Sequence, residues 1–346
     1  MFVLSSQAMC QLHKKCVAWI SLESIGIPSS GCLRSSSWLR SLSVPIHHSL
    51  LRPSVYIDLP DCTLTCIKTL SHGSFGYIDV ARYEIEKGSK EVYVKRPMIP
   101  GKSLLLEACV QQWVHLHMKE IGFPIVAPEI LRIFRLGDDS IGFVMEPVEG
   151  ATTLNAYWDS SPPSCFSNSM IDCLLQICAM TWYLDQMLGM NHRDLTPSNF
   201  LVVEHEPIRK ILTIENEIIE ISSRRSLSLI DFGFSCIGST ETHLSDLSLS
   251  TVYPSTDPCP KDGRDLYLFL GLVYIDYYDK LPQTLRTLFE GWLEGTGSTL
   301  CRFMRRDKEH SKKWLYFMTG NEQIKRFDSR PERIVRDVQH ILTPSE

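Results

Sequence analysis

Apolar and polar positions alternate along Gly76-Tyr77-Ile78-Asp79-Val80-Ala81-Arg82-Tyr83 and again along Glu91-Val92-Tyr93-Val94-Lys95. A period of two is that of a strand, and the turn-rich Glu86-Lys87-Gly88-Ser89-Lys90 between the runs predicts an antiparallel hairpin. The period then lengthens. Leu106, Val110, Trp113 and Val114 fall at i, i+4, i+7 and i+8, the spacing of one helix face. Two further strands are predicted over 129–136 and 141–148, ahead of Glu149-Gly150.

Beyond Gly150 helical spacing dominates: Ile171, Leu174, Leu175, Cys178 and Trp182 keep it until Gly189 supplies a stop. Residues 200–230 return to strand patterns, with Ile211-Leu212-Thr213-Ile214 and Ile218-Ile219-Glu220-Ile221 flanking Glu215-Asn216-Glu217 as hairpin arms. From Arg264 onward several helices are predicted. Strands, one helix, strands and then mainly helices make an α+β chain, with a β-rich part over about 56–150 and a mainly helical part over about 151–346.

Residues 1–55 differ from the rest. They hold one acidic residue, Glu23, against Lys14, Lys15, Arg34, Arg40 and Arg52, and are crowded with serine. That composition predicts a disordered tail, although organelle transit peptides share it. The opening Met1-Phe2-Val3-Leu4 is too short for a secretory apolar region.

Composition narrows the classes further. With 44% hydrophobic and 22% charged residues over 346 positions, the chain reads as globular rather than disordered. Thirty-five basic against 40 acidic side chains give a net charge of -5, so no nucleic-acid partner is expected. The most apolar run, Leu266 to Ile275, is interrupted by Gly271 and ends at Asp276, too short to cross a bilayer, so no membrane association is expected. The 12 cysteines show no C-x-x-C pair, which predicts reduced thiols in an intracellular protein, cytoplasmic or nuclear.

Candidate chemistry concentrates in His192-Arg193-Asp194-Leu195-Thr196-Pro197-Ser198-Asn199. A carboxylate there can take the proton of an attacking hydroxyl, while an amide oxygen five positions later can reach a metal ion. Downstream, the apolar Leu229-Ile230 runs into Asp231-Phe232-Gly233, placing a carboxylate at a strand end.

These stretches resemble the eukaryotic protein kinase family, whose catalytic loop reads H-R-D-L-x-x-x-x-N and whose metal-binding triplet is Asp-Phe-Gly. The resemblance covers roughly residues 65–342. It implies a bilobal protein kinase-like fold, with a β-rich N-lobe, a mainly helical C-lobe and an ATP site drawing on both. Asp194 would be the catalytic base, with Asn199 and Asp231 as Mg2+ ligands. Leu70-Ser71-His72-Gly73-Ser74-Phe75-Gly76-Tyr77-Ile78 is similar to the glycine-rich loop over the nucleotide, with Ser71 replacing its first glycine and Gly73 and Gly76 matching the others. Lys95 matches the phosphate-binding lysine, Glu107 is its natural helix partner, and Glu146-Pro147-Val148 would border the adenine. Asp265 resembles the buried aspartate that opens a central helix and fastens the catalytic loop, and Arg330-Pro331 resembles a late structural pair.

Departures from the family pattern shape the expected function. Thr196 stands where serine/threonine kinases usually carry a lysine, Tyr93 where an alanine is usual, and no Ala-Pro-Glu follows Asp231. The long hairpin between Asn199 and Asp231 resembles haspin and kinases of large DNA viruses. The expected activity is ATP-dependent phosphoryl transfer to Ser or Thr hydroxyls of a protein substrate. The alternatives are a small-molecule phosphotransferase of the aminoglycoside or choline kinase type and a pseudokinase scaffold. Residues 235–256, rich in Ser and Thr, are a candidate activation segment whose phosphate would pair with Arg193.

Overall fold

The computed structural model describes residues 47–48, 55–59, 62–72, 76–86, 88–123, 126–136, 138–214, 217–293 and 299–342. The chain is mixed α+β, with sheet in its N-terminal half and helices dominating its C-terminal half. It divides into two compact units, Met1–Glu149 and Gly150–Glu346. Among the described residues no helix is long and apolar enough to cross a membrane.

The N-terminal unit is built on a seven-stranded sheet, ordered β1-β6-β7-β5-β4-β3-β2. Its strands are β1 (His47–His48), β2 (Val55–Leu59), β3 (Cys62–His72), β4 (Gly76–Ile85), β5 (Gly88–Pro97), β6 (Ile130–Arg135) and β7 (Ile141–Met145). The alternation in β4 and β5 sends Ala81, Tyr83, Val92 and Val94 into a core with Leu64, Phe134 and Val144. The β4–β5 turn is tighter than the sequence suggests, because Ile85 pairs directly with Gly88. The predicted tail over 1–55 lies outside the described residues, except that His47–His48 and Val55 are strand, with His47 in register with Phe134.

Helix α1 (Leu105–Glu120) buries Val110, Trp113 and Val114 as its periodicity predicts, and also Gln111, Gln112 and His115. Burying amides costs free energy unless they are bonded. Here Gln111 Nε2 donates to the Pro128 carbonyl at 2.8 Å, Gln112 Oε1 accepts from the Ile130 amide at 2.7 Å, and His115 Nδ1 donates to the Ala127 carbonyl at 2.7 Å. Three polar side chains therefore fasten the helix to the segment leading into β6.

The C-terminal unit contains β8 (Thr152–Thr153), α2 (Leu154–Ser160), α3 (Pro163–Trp182) and β9 (Met190–Asn191). The hairpin β10 (Phe200–Ile214) and β11 (Glu217–Leu229) follows, then β12 (Cys236–Gly238) and β13 (Ser245–Ser248). Among the described residues five α-helices complete it: α4 (Arg264–Tyr277), α5 (Gln283–Leu293), α6 (Thr299–Arg306), α7 (Lys308–Gly320) and α8 (Pro331–Leu342).

Helix α3 passes into one π turn, Tyr183–Met187, and the stop comes at Gly189, whose φ of +59° suits a residue without Cβ. Helix α4 is buried nearly all round, and a large side chain buried this way contributes roughly 1.5–3 kcal/mol. Gly271, the residue that interrupts its apolar run, leaves the notch in which Leu315 of α7 packs: a Cβ there would lie 2.7 Å from both Leu315 methyl carbons. That notch sets α7 against α4.

Candidate active site

The loop from β9 to β10 carries His192, Arg193, Asp194 and Asn199. Arg193 adopts a left-handed backbone, φ 66°, a conformation costly for a residue with a Cβ. Two hydrogen bonds hold it there. The His192 and Arg193 amides donate to Asp265 Oδ2 and Oδ1 at 2.6 and 2.8 Å. Asp265 lies in the first turn of α4 and is 1% exposed, so the carboxylate also meets the positive end of that helix. Beneath it, Asp185 is bonded by Asn191 Nδ2 at 2.7 Å, and burial followed by the charge of Asp265 holds its carboxyl well above the usual carboxylate range.

Within this loop Asp194 is half-buried and both its oxygens are engaged. Asn199 Nδ2 donates to the Asp194 carbonyl at 2.8 Å and to Oδ2 at 2.9 Å. Tyr316, on α7, donates its hydroxyl to Oδ1 at 2.7 Å. Thr196 bonds to Ser198 Oγ at 2.7 Å. A cavity of about 630 Å3 opens beside Asp194, and its lining includes Phe234, Val252, Tyr253, Tyr316 and Glu322.

Asp231 follows the end of β11, also with a left-handed backbone, φ 66°. Its predecessor Ile230 donates its amide to the Asn199 carbonyl at 2.9 Å and accepts from His192 Nε2 at 3.1 Å, which joins the Asp-Phe-Gly turn to the 192–199 loop. The His192 and Phe232 rings meet edge to face, 5.2 Å between centroids. Both side-chain bonds that Asn199 makes use its nitrogen, so its amide oxygen faces no donor among the described residues. An amide oxygen and a carboxylate are the hard donors that Mg2+ takes alongside phosphate oxygens and water. No group of three or more His, Cys, Asp or Glu side chains converges among the described residues.

In the N-terminal unit Lys95 Nζ and Glu107 Oε1 form an ion pair at 2.5 Å, with residue exposures of 6% and 4%. Ile78 sits directly opposite Lys95 in the β4–β5 register, and Ser71 opposite Ile78 in the β3–β4 register. Gly73 lies outside the described residues. Gly76 has a structural demand of its own, since a Cβ would lie 2.5 Å from the Arg96 carbonyl oxygen. Glu146 turns its side chain to Lys90 in a surface ion pair at 2.5 Å. On β4 the fully buried Asp79, missed in the sequence, accepts from Thr69 at 2.7 Å and Arg96 at 2.6 Å; a carboxylate inside an apolar alternation was the available signal.

Two expectations are corrected. Arg193 does not await a phosphate: its guanidinium donates to Asp257 Oδ2 at 2.9 Å and to Ser248 Oγ at 2.7 Å, and lies over the Tyr253 ring. Asp257 also binds Arg264 at 2.6 Å and Lys261 at 2.8 Å, so one carboxylate serves three buried cations. Burial and the neighbouring Arg264 lower Arg193 to about 10 and Lys261 to about 8. The thiols are not all reduced either. Cys236, on β12, is joined by a disulfide to Cys259, fastening the start of the 235–256 segment to the chain just beyond its end. Proximity in the fold overrides the absence of a spacing motif.

No protein-family model matches this chain, and no curated protein matches it significantly.

Proposed function

We propose that the chain is a protein kinase-like phosphotransferase, with the β-rich unit as N-lobe and the mainly helical unit as C-lobe. It transfers the γ-phosphate of ATP to a Ser or Thr hydroxyl of a protein substrate. One observation carries the reading: a carboxylate, Asp194, oriented by Asn199 on a loop whose backbone is pinned by the buried Asp265. Such pinning suits a reaction whose rate depends on alignment and charge stabilisation more than on covalent chemistry.

In this reading Lys95, steadied by Glu107, bonds the nucleotide phosphates, and the 71–78 segment with Ser71, Gly73, Gly76 and Ile78 covers them. Glu146 begins the segment bordering the adenine. Asn199 and Asp231 hold Mg2+, which neutralises charge on the transferring phosphate. Asp194 accepts the proton of the acceptor hydroxyl as its oxygen attacks. An intracellular setting, the source of ATP, goes with this activity.

The test is Mg2+-dependent thermal stabilisation by ATP together with labelled phosphate transfer to a protein acceptor. A ligand that binds only the folded state must raise its apparent stability. Stabilisation and transfer in the wild type, both lost in Asp231→Ala, are expected; equal transfer by Asp231→Ala would overturn the assignment.

A further inference from the structure

Given the phosphotransferase reading, on which this rests, we propose that Tyr316 is a positioning residue for the reaction: its hydroxyl sets the Asp194 carboxylate so that the acceptor meets it from the adjoining cavity. Asp194 has two oxygens, and each has its own donor. Oδ2 takes the Asn199 amide at 2.9 Å, while Oδ1 takes the Tyr316 hydroxyl at 2.7 Å, from 122 residues along the chain. With both ends fixed the carboxylate keeps one rotamer, and lone pairs remain for a further hydroxyl.

The tyrosine is itself held in place from several directions. Leu315, its neighbour, fills the notch at Gly271 of α4. Asp307 caps the start of α7 by accepting from the His310 amide at 3.1 Å. At the other end Lys261 Nζ donates to the Thr319 and Asn321 carbonyls, each at 3.0 Å. Lys261 shares Asp257 with Arg193, the residue preceding Asp194, so one buried ion cluster anchors both partners of the Tyr316–Asp194 bond.

Tyr316 also borders the cavity beside Asp194. Thr196, in the same loop, is engaged with Ser198, and the second donor to the carboxylate comes from α7. Burial and the charge of Asp194 push the Tyr316 phenol upward, so it stays protonated and donates throughout neutral pH. The acceptor proton passes to Asp194 while the acceptor oxygen bonds the γ-phosphorus. The bond to the β,γ-bridging oxygen breaks, ADP leaves, and the Tyr316 proton stays where it is.

The experiment compares full-length wild type, Tyr316→Phe, Asp194→Ala and the double variant. Each is measured for thermal unfolding, Mg2+-ATP affinity and transfer from labelled ATP to dephosphorylated casein or water. Phenylalanine keeps the ring and removes one hydrogen bond to a charged group, so kcat should fall about tenfold with the KM for ATP, nucleotide affinity and Tm unchanged. In the Asp194→Ala background the same change should cost nothing further. Tyr316→Phe with full kcat, or a loss that persists unchanged without Asp194, overturns this role and leaves the phosphotransferase reading standing. A fall in kcat matched by weaker nucleotide binding or by unfolding also overturns it. A wild type that neither binds Mg2+-ATP nor turns it over overturns the reading and this role with it.

Discussion

Asp257 Oδ2 lies 2.9 Å from the Arg193 guanidinium, and neither side chain retains any exposed surface. With Arg264 and Lys261 on the same carboxylate, the cluster carries more positive than negative charge in a buried place. Removing the carboxylate leaves three cations uncompensated, and breaking a buried pair costs roughly 3–5 kcal/mol. Asp257→Asn is therefore expected to lower the chemical-denaturation midpoint sharply and abolish transfer. Because Arg193 already has its anion, phosphatase-treated protein is expected to retain its activity, which a transfer assay before and after treatment checks.

Lys261 gives a pH dependence with a definite sign. Its folded value, about 8, lies below the ordinary 10.5. Between those values the unfolded chain keeps a proton that the folded one has released, so the unfolded state binds more protons and stability rises with pH. The contribution is least favourable below about pH 8. Denaturation of wild type and Lys261→Met from pH 7 to 10.5 should show a climb in the wild type that the variant lacks.

Lys95→Met leaves Glu107 buried at 4% exposure without its cation. The expected result is a loss of Mg2+-ATP stabilisation and a fall in transfer of about a hundredfold or more, the scale for removing a group that stabilises charge in the transition state. Thermal shift and transfer assays on the same preparation check both.

Gly271→Ala places a methyl group 2.7 Å from the Leu315 methyls. Overpacking of this kind costs about 1–3 kcal/mol. Since Leu315 adjoins Tyr316, the variant is expected to lose transfer beyond its loss of stability, measured as kcat at a temperature where both proteins remain folded.

Cys236→Ser opens a loop closed across 23 positions, and the chain-entropy model gives on the order of 3 kcal/mol for a loop of that size. Wild type with a thiol reductant should melt at the temperature of the variant without it.

The legible parts of this molecule were those in which neighbours in sequence are neighbours in space. Alternation in 76–83 and 91–95 defines the β4–β5 hairpin, and the five-position step from Asp194 to Asn199 defines a loop whose Asp194–Asn199 bond is local. Asp265 is legible through its resemblance to the kinase family's buried aspartate at the start of a central helix, and it accepts from the His192 and Arg193 amides. Tyr316 carried no such mark: within Trp314-Leu315-Tyr316-Phe317 it is one aromatic among several on an ordinary amphipathic helix. Only tertiary packing brings it to Asp194. Asp257 was hidden likewise in a Pro- and Ser-rich stretch, although the charges at 257, 261 and 264, spaced about one helical turn apart, were a usable hint. The disulfide had none, since its cysteines are brought together by the path of the chain through β12 and β13.

That covalent tie has a topological consequence. The span from Cys236 to Cys259 is a closed ring of polypeptide. A protease that nicks it once at an exposed point such as Leu244 or Val252 would release no fragment, and the cut molecule would migrate whole on a gel until a thiol separated the pieces.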